Sequence, residues 1–151
     1  MTNYEQLNRQ LESLTQGVPH RIANLANASA LLFEQMEDLN WAGFYLLEGN
    51  MLILGPFQGR VACIEIPVGK GVCGCAVASG QVQRVEDVHK FPGHIACDSA
   101  SNSELVIPIR QKGRIVGVLD LDSPKVGRFQ KEDQEGLEAF VRVLEHTIFG
   151  E

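Results

Sequence analysis

The sequence has no Cys-x-x-Cys pair, no excess of basic residues and no long apolar run. Each absence removes a class of function. Without Cys-x-x-Cys, the four cysteines do not read as a zinc ribbon or a thioredoxin-type motif. The formal net charge is −6 and no basic stripe is visible. Nucleic acid is therefore not an expected partner, because phosphate binding needs clustered Lys and Arg. No segment approaches the roughly 18 apolar residues of a membrane span, so no membrane partner is expected. The polar start, Met1-Thr2-Asn3-Tyr4-Glu5-Gln6, lacks a signal-peptide core, and the expected location is cytoplasmic. Structural disulfides are not expected in that reducing compartment. Internal repeats and low-complexity linkers are also missing.

What is present fits one globular domain: 151 residues, 44% hydrophobic and 21% charged, enough to bury a core. Tyr4, Leu7, Leu11 and Leu14 recur at helical spacing, and Gly17-Val18-Pro19 ends that helix. A second helix is predicted from about Arg21 to Leu39, burying Ile22, Leu25, Leu32, Phe33 and Met36. At Asn40 the period changes. Trp41 to Leu47 reads as a strand, Glu48-Gly49-Asn50 as a hairpin turn and Met51 to Leu54 as the return strand. Gly55-Pro56-Phe57-Gln58-Gly59 reads as a loop, and Val61 to Ile66 as a third strand. Gly69-Lys70-Gly71 leads into a short helix, Val72 to Ser79, followed by a strand from Gln81 to Val85. Leu105 to Ile109 and Arg114 to Asp122 form another hairpin, and Gln130 to Ile148 a last helix striped by Leu137, Phe140, Val141, Leu144 and Ile148. Tight turns between successive strands predict an α+β domain, a mostly antiparallel sheet flanked by helices. It spans residues 1–151: helices at about 4–39, sheet and loop at about 40–122, and the final helix at about 130–148.

The chemistry gathers around the stretch from Val85 to Glu104, which carries neither strand nor helix periodicity. A long connection of that kind inside a compact domain reads as a functional loop. It holds His89, His94 and Cys97. Cys63, Cys73 and Cys75 lie on apolar segments and fit small buried residues, whereas Cys97 stands among polar residues. A loop thiol near other thiols suits an attacking and resolving pair; a zinc site with His89 and His94 is the alternative. Cys73 near the start of its helix is placed where the dipole favours a thiolate. Strand alternation puts Trp41, Gly43 and Tyr45 on one face, and Asp120 with Asp122 on one face of the last strand. Core aromatics and a solvated edge are the plain explanations; a small-ligand pocket is the functional one.

Taken together, several motifs resemble a known family. They are Asn40-Trp41-Ala42-Gly43-Phe44-Tyr45, Gly55-Pro56-Phe57-Gln58-Gly59, Gly69-Lys70-Gly71-Val72-Cys73-Gly74, Asp87-Val88-His89, Gly93-His94-Ile95-Ala96-Cys97-Asp98 and Gly117-Val118-Leu119-Asp120-Leu121-Asp122. The sequence is similar to the free methionine-(R)-sulfoxide reductases, a GAF-domain family, from about Ala23 to Leu144. That resemblance implies a GAF-like fold and reduction of the free amino acid sulfoxide through a sulfenic acid and then a disulfide. It implies Cys97 as nucleophile, Cys63 and Cys73 as candidates to resolve it, and Trp41, Tyr45, Glu104, Asp120 and Asp122 as the substrate pocket. It further implies thioredoxin as reductant, a homodimer, no metal and no cofactor. Cys75 has no counterpart in the pattern. The rival readings are a GAF sensory module, a zinc-binding structural protein and a reductase of protein-bound methionine sulfoxide.

Overall fold

The computed structural model describes residues 1–95 and 100–150. Two helices open the chain, α1 (Tyr4–Thr15) and α2 (Arg21–Gln35). The Asn3 side chain caps α1 by accepting from the Gln6 backbone N–H, as helix starts favour. Strands β1 (Trp41–Glu48), β2 (Met51–Gly59) and β3 (Glu65–Pro67) follow, then helix α3 (Gly71–Ser79), β4 (Gln83–Val85) and a single 3-10 turn at Val88–Lys90. The hairpin β5 (Ser103–Gln111) and β6 (Arg114–Ser123) precedes α4 (Lys131–Thr147). These strands make one sheet in the order β3-β2-β1-β6-β5-β4, every neighbouring pair antiparallel. The α+β class predicted from the sequence is the class observed.

Both faces of this sheet are covered, and strand alternation sorts the residues between them. Ala42 and Phe44 of β1, Leu105, Ile107 and Ile109 of β5, and Leu119 and Leu121 of β6 pack against α1, α2 and α4. Trp41, Tyr45, Val106 and Val118 point the other way, onto Val72, Cys73 and Ala76 of α3. No helix among the described residues is long and apolar enough to cross a membrane.

Three local expectations are corrected. The segment from Gly55 to Gly59 is strand, so β2 runs on through Gly59. The pairing with β1 shifts register between Gly43 and Tyr45, a bulge that admits Pro56 into the strand. The third strand shrinks to Glu65–Pro67, leaving Val61 to Cys63 outside the sheet. In α2 and α1, Ile22 (75% exposed), Phe33 and Leu14 lie at the surface, while Leu25, Leu32 and Met36 are buried. The true stripe passes through Leu25, Ala28, Leu31 and Leu32, where the helix lies against β1 and β2.

Candidate active site

Three strands carry the polar centre into an otherwise apolar face. Cross-strand register places Trp41 opposite Asp122 and Asp122 opposite Glu104, one row running over β1, β6 and β5. The next row is Gly43, Asp120 and Val106. The space over Gly43, the strand neighbour of Asp120, is taken by Phe57 and Trp41. A Cβ at Gly43 would overlap the Cβ of Phe57 and meet Trp41 at 2.9 Å. Trp41 stacks with two rings: Phe57 at 5.1 Å between centroids and Tyr45 at 5.9 Å. Offset stacking of this kind fixes the indole plane. Its Nε1–H donates to the Arg60 carbonyl at 3.2 Å, and the Tyr45 hydroxyl donates to the Cys63 carbonyl at 2.9 Å. These two bonds tie the 60–63 segment to the aromatic wall.

One cavity is lined by Trp41, Tyr45, Cys73, Glu104, Asp120 and Asp122, and by His94 and Ile95. The sequence puts Glu104 at the end of the loop; in the fold it is the second residue of β5, paired with Asp122. Cys97 lies outside the described residues. Cys63 is disulfide-bonded, whereas Cys73 and Cys75 carry free thiols. Asn102 and Phe57 are the residues sequence reasoning missed. Asn102 accepts from Val88 N–H through its carbonyl, bonds the His89 ring at 2.9 Å and donates to the Pro124 carbonyl at 2.7 Å. It therefore pins the start of the loop to the end of β6. An Asn just before a strand of strong hydrophobic pattern was the only available signal.

Burial governs the electrostatics. Glu104 is 7% exposed, and burial, then Asp120 and Asp122, hold its carboxyl well above the usual range. Asp120 is also raised by burial, opposed by its neighbours Glu104, Cys73 and Asp122. Cys73 Sγ lies 4.0 Å from Glu104 Oε2, and burial plus the neighbouring acids push its pKa up. The expectation of a helix-stabilised thiolate at Cys73 is thus corrected. A helix end offers about half a charge, and desolvation with the surrounding carboxylates outweighs it. His94 is lowered by burial and by His89, with Asp120 opposing.

A pH test follows from Glu104. The unfolded chain loses this proton near the ordinary 4.5, the folded chain at higher pH. The stability tied to the neutral form is fully present below the unfolded value and is lost as pH rises through the folded one. Glu104→Gln removes that titration. In urea melts between pH 5 and 8, wild type should weaken relative to the variant by up to about 1.4 kcal/mol per pH unit. A difference that does not change with pH would contradict the assignment.

The geometry offers a small site with an aromatic wall, a floor of carboxyls and the buried Cys73 thiol within reach. Residues 10–148 match the GAF domain family. The free methionine-R-sulfoxide reductase of Escherichia coli (strain K12) is 59% identical over 145 residues, covering 96% of this chain and 88% of that protein. The structure of fRMsr of Staphylococcus aureus in complex with substrate superposes with a TM-score of 0.94 at 53% identity, over 98% of this chain and 97% of that one. The free methionine-R-sulfoxide reductase of Neisseria meningitidis, also in complex with its substrate, gives 0.93 at 42% identity, over 96% and 87%. With its fold, its length and its sequence all aligned to these proteins, the chain belongs to the free methionine-R-sulfoxide reductases of the GAF domain family.

Proposed function

We infer that this chain reduces free L-methionine-(R)-sulfoxide to L-methionine by thiol chemistry. The observation that carries the reading is the convergence of Trp41, Tyr45, Glu104, Asp120 and Asp122 on one cavity. A free amino acid sulfoxide has an ammonium, an S-methyl group and a polarised S–O bond. Asp120 and Asp122 hold the ammonium in a place of low dielectric. The stacked Trp41 and Tyr45 rings enclose the methyl group. The S–O oxygen leaves only if it is protonated, and a neutral carboxylic acid is the group that donates. Glu104 fits that role, since its acid form is favoured by burial and by its neighbours.

The thiolate of Cys97 attacks the sulfoxide sulfur, the S–O oxygen is protonated, and methionine leaves as Cys97 becomes a sulfenic acid. A second thiol then attacks that sulfenic sulfur, forming a disulfide and releasing water. Cys63 is favoured over Cys73 for this step. Cys63 is already disulfide-bonded, and Cys73 is a free, buried thiol with its proton held on. Each turnover thus consumes two thiols, and an external dithiol of the thioredoxin class restores them. Cytoplasmic action fits that need for a reducing partner. A homodimer through α1 and α2 fits the exposed Leu14, Val18, Ile22 and Phe33.

The test uses pure epimers of free methionine sulfoxide with thioredoxin, its reductase and NADPH. Turnover of the R epimer, with the S epimer slower by about a hundredfold or more, is the expected outcome; misplacing a reacting atom by about 1 Å costs on that order. A faster S epimer would remove the reading.

A further inference from the structure

The carboxyl floor has a second chemistry that sulfoxide reduction does not use. Cys73 Sγ, a Glu104 oxygen and an Asp120 oxygen all lie within 4.8 Å of one another, and all three residues are buried. Asp120 is 5% exposed, and its Oδ1 has no hydrogen-bond partner among the described residues. The side chain that carries this atom lines the cavity. We propose that Cys73, Glu104 and Asp120 form a binding site for a borderline-soft divalent cation of the zinc class, one that excludes the substrate ammonium.

The geometry needs little adjustment. A tetrahedral zinc ion with a thiolate and a carboxylate ligand sets S and O about 3.5 Å apart, from bond lengths near 2.3 and 2.0 Å. Cys73 Sγ and Glu104 Oε2 stand at 4.0 Å, so a closure of about half an ångström by side-chain rotation suffices. The donors sit on α3, β5 and β6, regular elements that fix their directions. The sulfur makes the site selective. Magnesium and calcium take oxygen ligands in larger shells, whereas zinc and cobalt accept mixed sulfur and oxygen donors. Binding replaces the protons on the thiol and carboxyls with one divalent ion. The ion is not a cofactor, since no step of the proposed reaction calls for it. It occupies the acceptors meant for the ammonium. Exclusion of substrate rests on the reading of those acids as the ammonium site; binding of the ion does not.

The experiment uses full-length oxidised protein, in which the proposed Cys63–Cys97 disulfide removes two thiols, and a Cys75→Ser background, which removes the half-buried one. Cobalt(II) is the probe and zinc the competitor. One equivalent of cobalt should give a near-ultraviolet thiolate-to-cobalt charge-transfer band, displaced by stoichiometric zinc and unmoved by a large excess of magnesium. Cys73→Ser should abolish the band. Asp120→Asn should keep the band but weaken zinc at least about tenfold, the scale of losing one supporting donor; circular dichroism establishes that each variant is folded. Saturating L-methionine should weaken zinc by at least the same factor. A band that survives Cys73→Ser, no band at all, or Asp120→Asn with wild-type zinc affinity would overturn the site. A protein that binds zinc in this way but does not reduce the sulfoxide overturns the function and leaves the site; active protein with no cobalt band does the reverse.

Discussion

Cys97→Ser should lower steady-state turnover by at least about a thousandfold, the scale on which single nucleophile losses fall. It should also make no methionine in a single turnover. A serine hydroxyl is a far weaker nucleophile toward sulfur than a thiolate. Cys63→Ser should behave differently. It should release one methionine per site and then stop, with Cys97 trapped as a sulfenic acid detectable by mass after capture with a cyclic dione. Cys73→Ser should keep multiple turnovers, because its thiol is buried, protonated and free in the state where Cys63 is already bonded. Quenched-flow counting of methionine per site separates all three. A full burst from Cys97→Ser, or a Cys73→Ser enzyme that stalls after one methionine while Cys63→Ser does not, would refute this assignment of roles.

The second large effect concerns the substrate. N-acetylated, C-amidated methionine-(R)-sulfoxide should be reduced with a kcat/KM at least about 10- to 100-fold below that of the free amino acid. The estimate comes from the floor of the cavity. A neutral amide offers nothing to Asp120 and Asp122, so buried acceptors are left without their cation. An unsatisfied buried polar group costs about 1–3 kcal/mol, and more when charged. Each ~1.4 kcal/mol is a factor of ten in rate. His94 and Ile95, which also line the cavity, should add a steric penalty for a chain that continues past the substrate. Equal rates on free and blocked sulfoxide would mean that the acids do not read the ammonium. Asp122→Ala should then also leave the KM for the free amino acid unchanged, whereas an ammonium held by Asp122 makes it rise.

Much of this was legible from side-chain period. Trp41 with Tyr45, and Asp120 with Asp122, share a face because strands alternate, and the sheet brings both pairs to one cavity. What alternation could not reveal was which strands would be neighbours. The row Trp41, Asp122, Glu104 exists only because β6 lies between β1 and β5. Glu104 follows a run of Ser, Asn and Asp that reads as loop, and its place in β5 is settled by pairing with both β4 and β6. Gly55-Pro56 carries a turn signal that the bulge opposite Gly43 overrides. Ile22 and Phe33 mislead because helical spacing fits more than one stripe, and only the position of the sheet chooses between them. The state of Cys73 is invisible in sequence, since the carboxyls that decide it stand about thirty or more positions away.

The sheet also ends, on either side, in a strand of three residues. At one border Glu65 and Pro67 are exposed, and Pro67 has no N–H to offer an incoming strand. At the other, Arg84 presents a charged side chain. Such borders give a second polypeptide almost nothing to zip onto. Edge-to-edge pairing of two copies through these borders is thereby disfavoured. The cavity residues Trp41, Tyr45, Glu104, Asp120 and Asp122, carried on the interior strands β1, β6 and β5, are kept away from both borders.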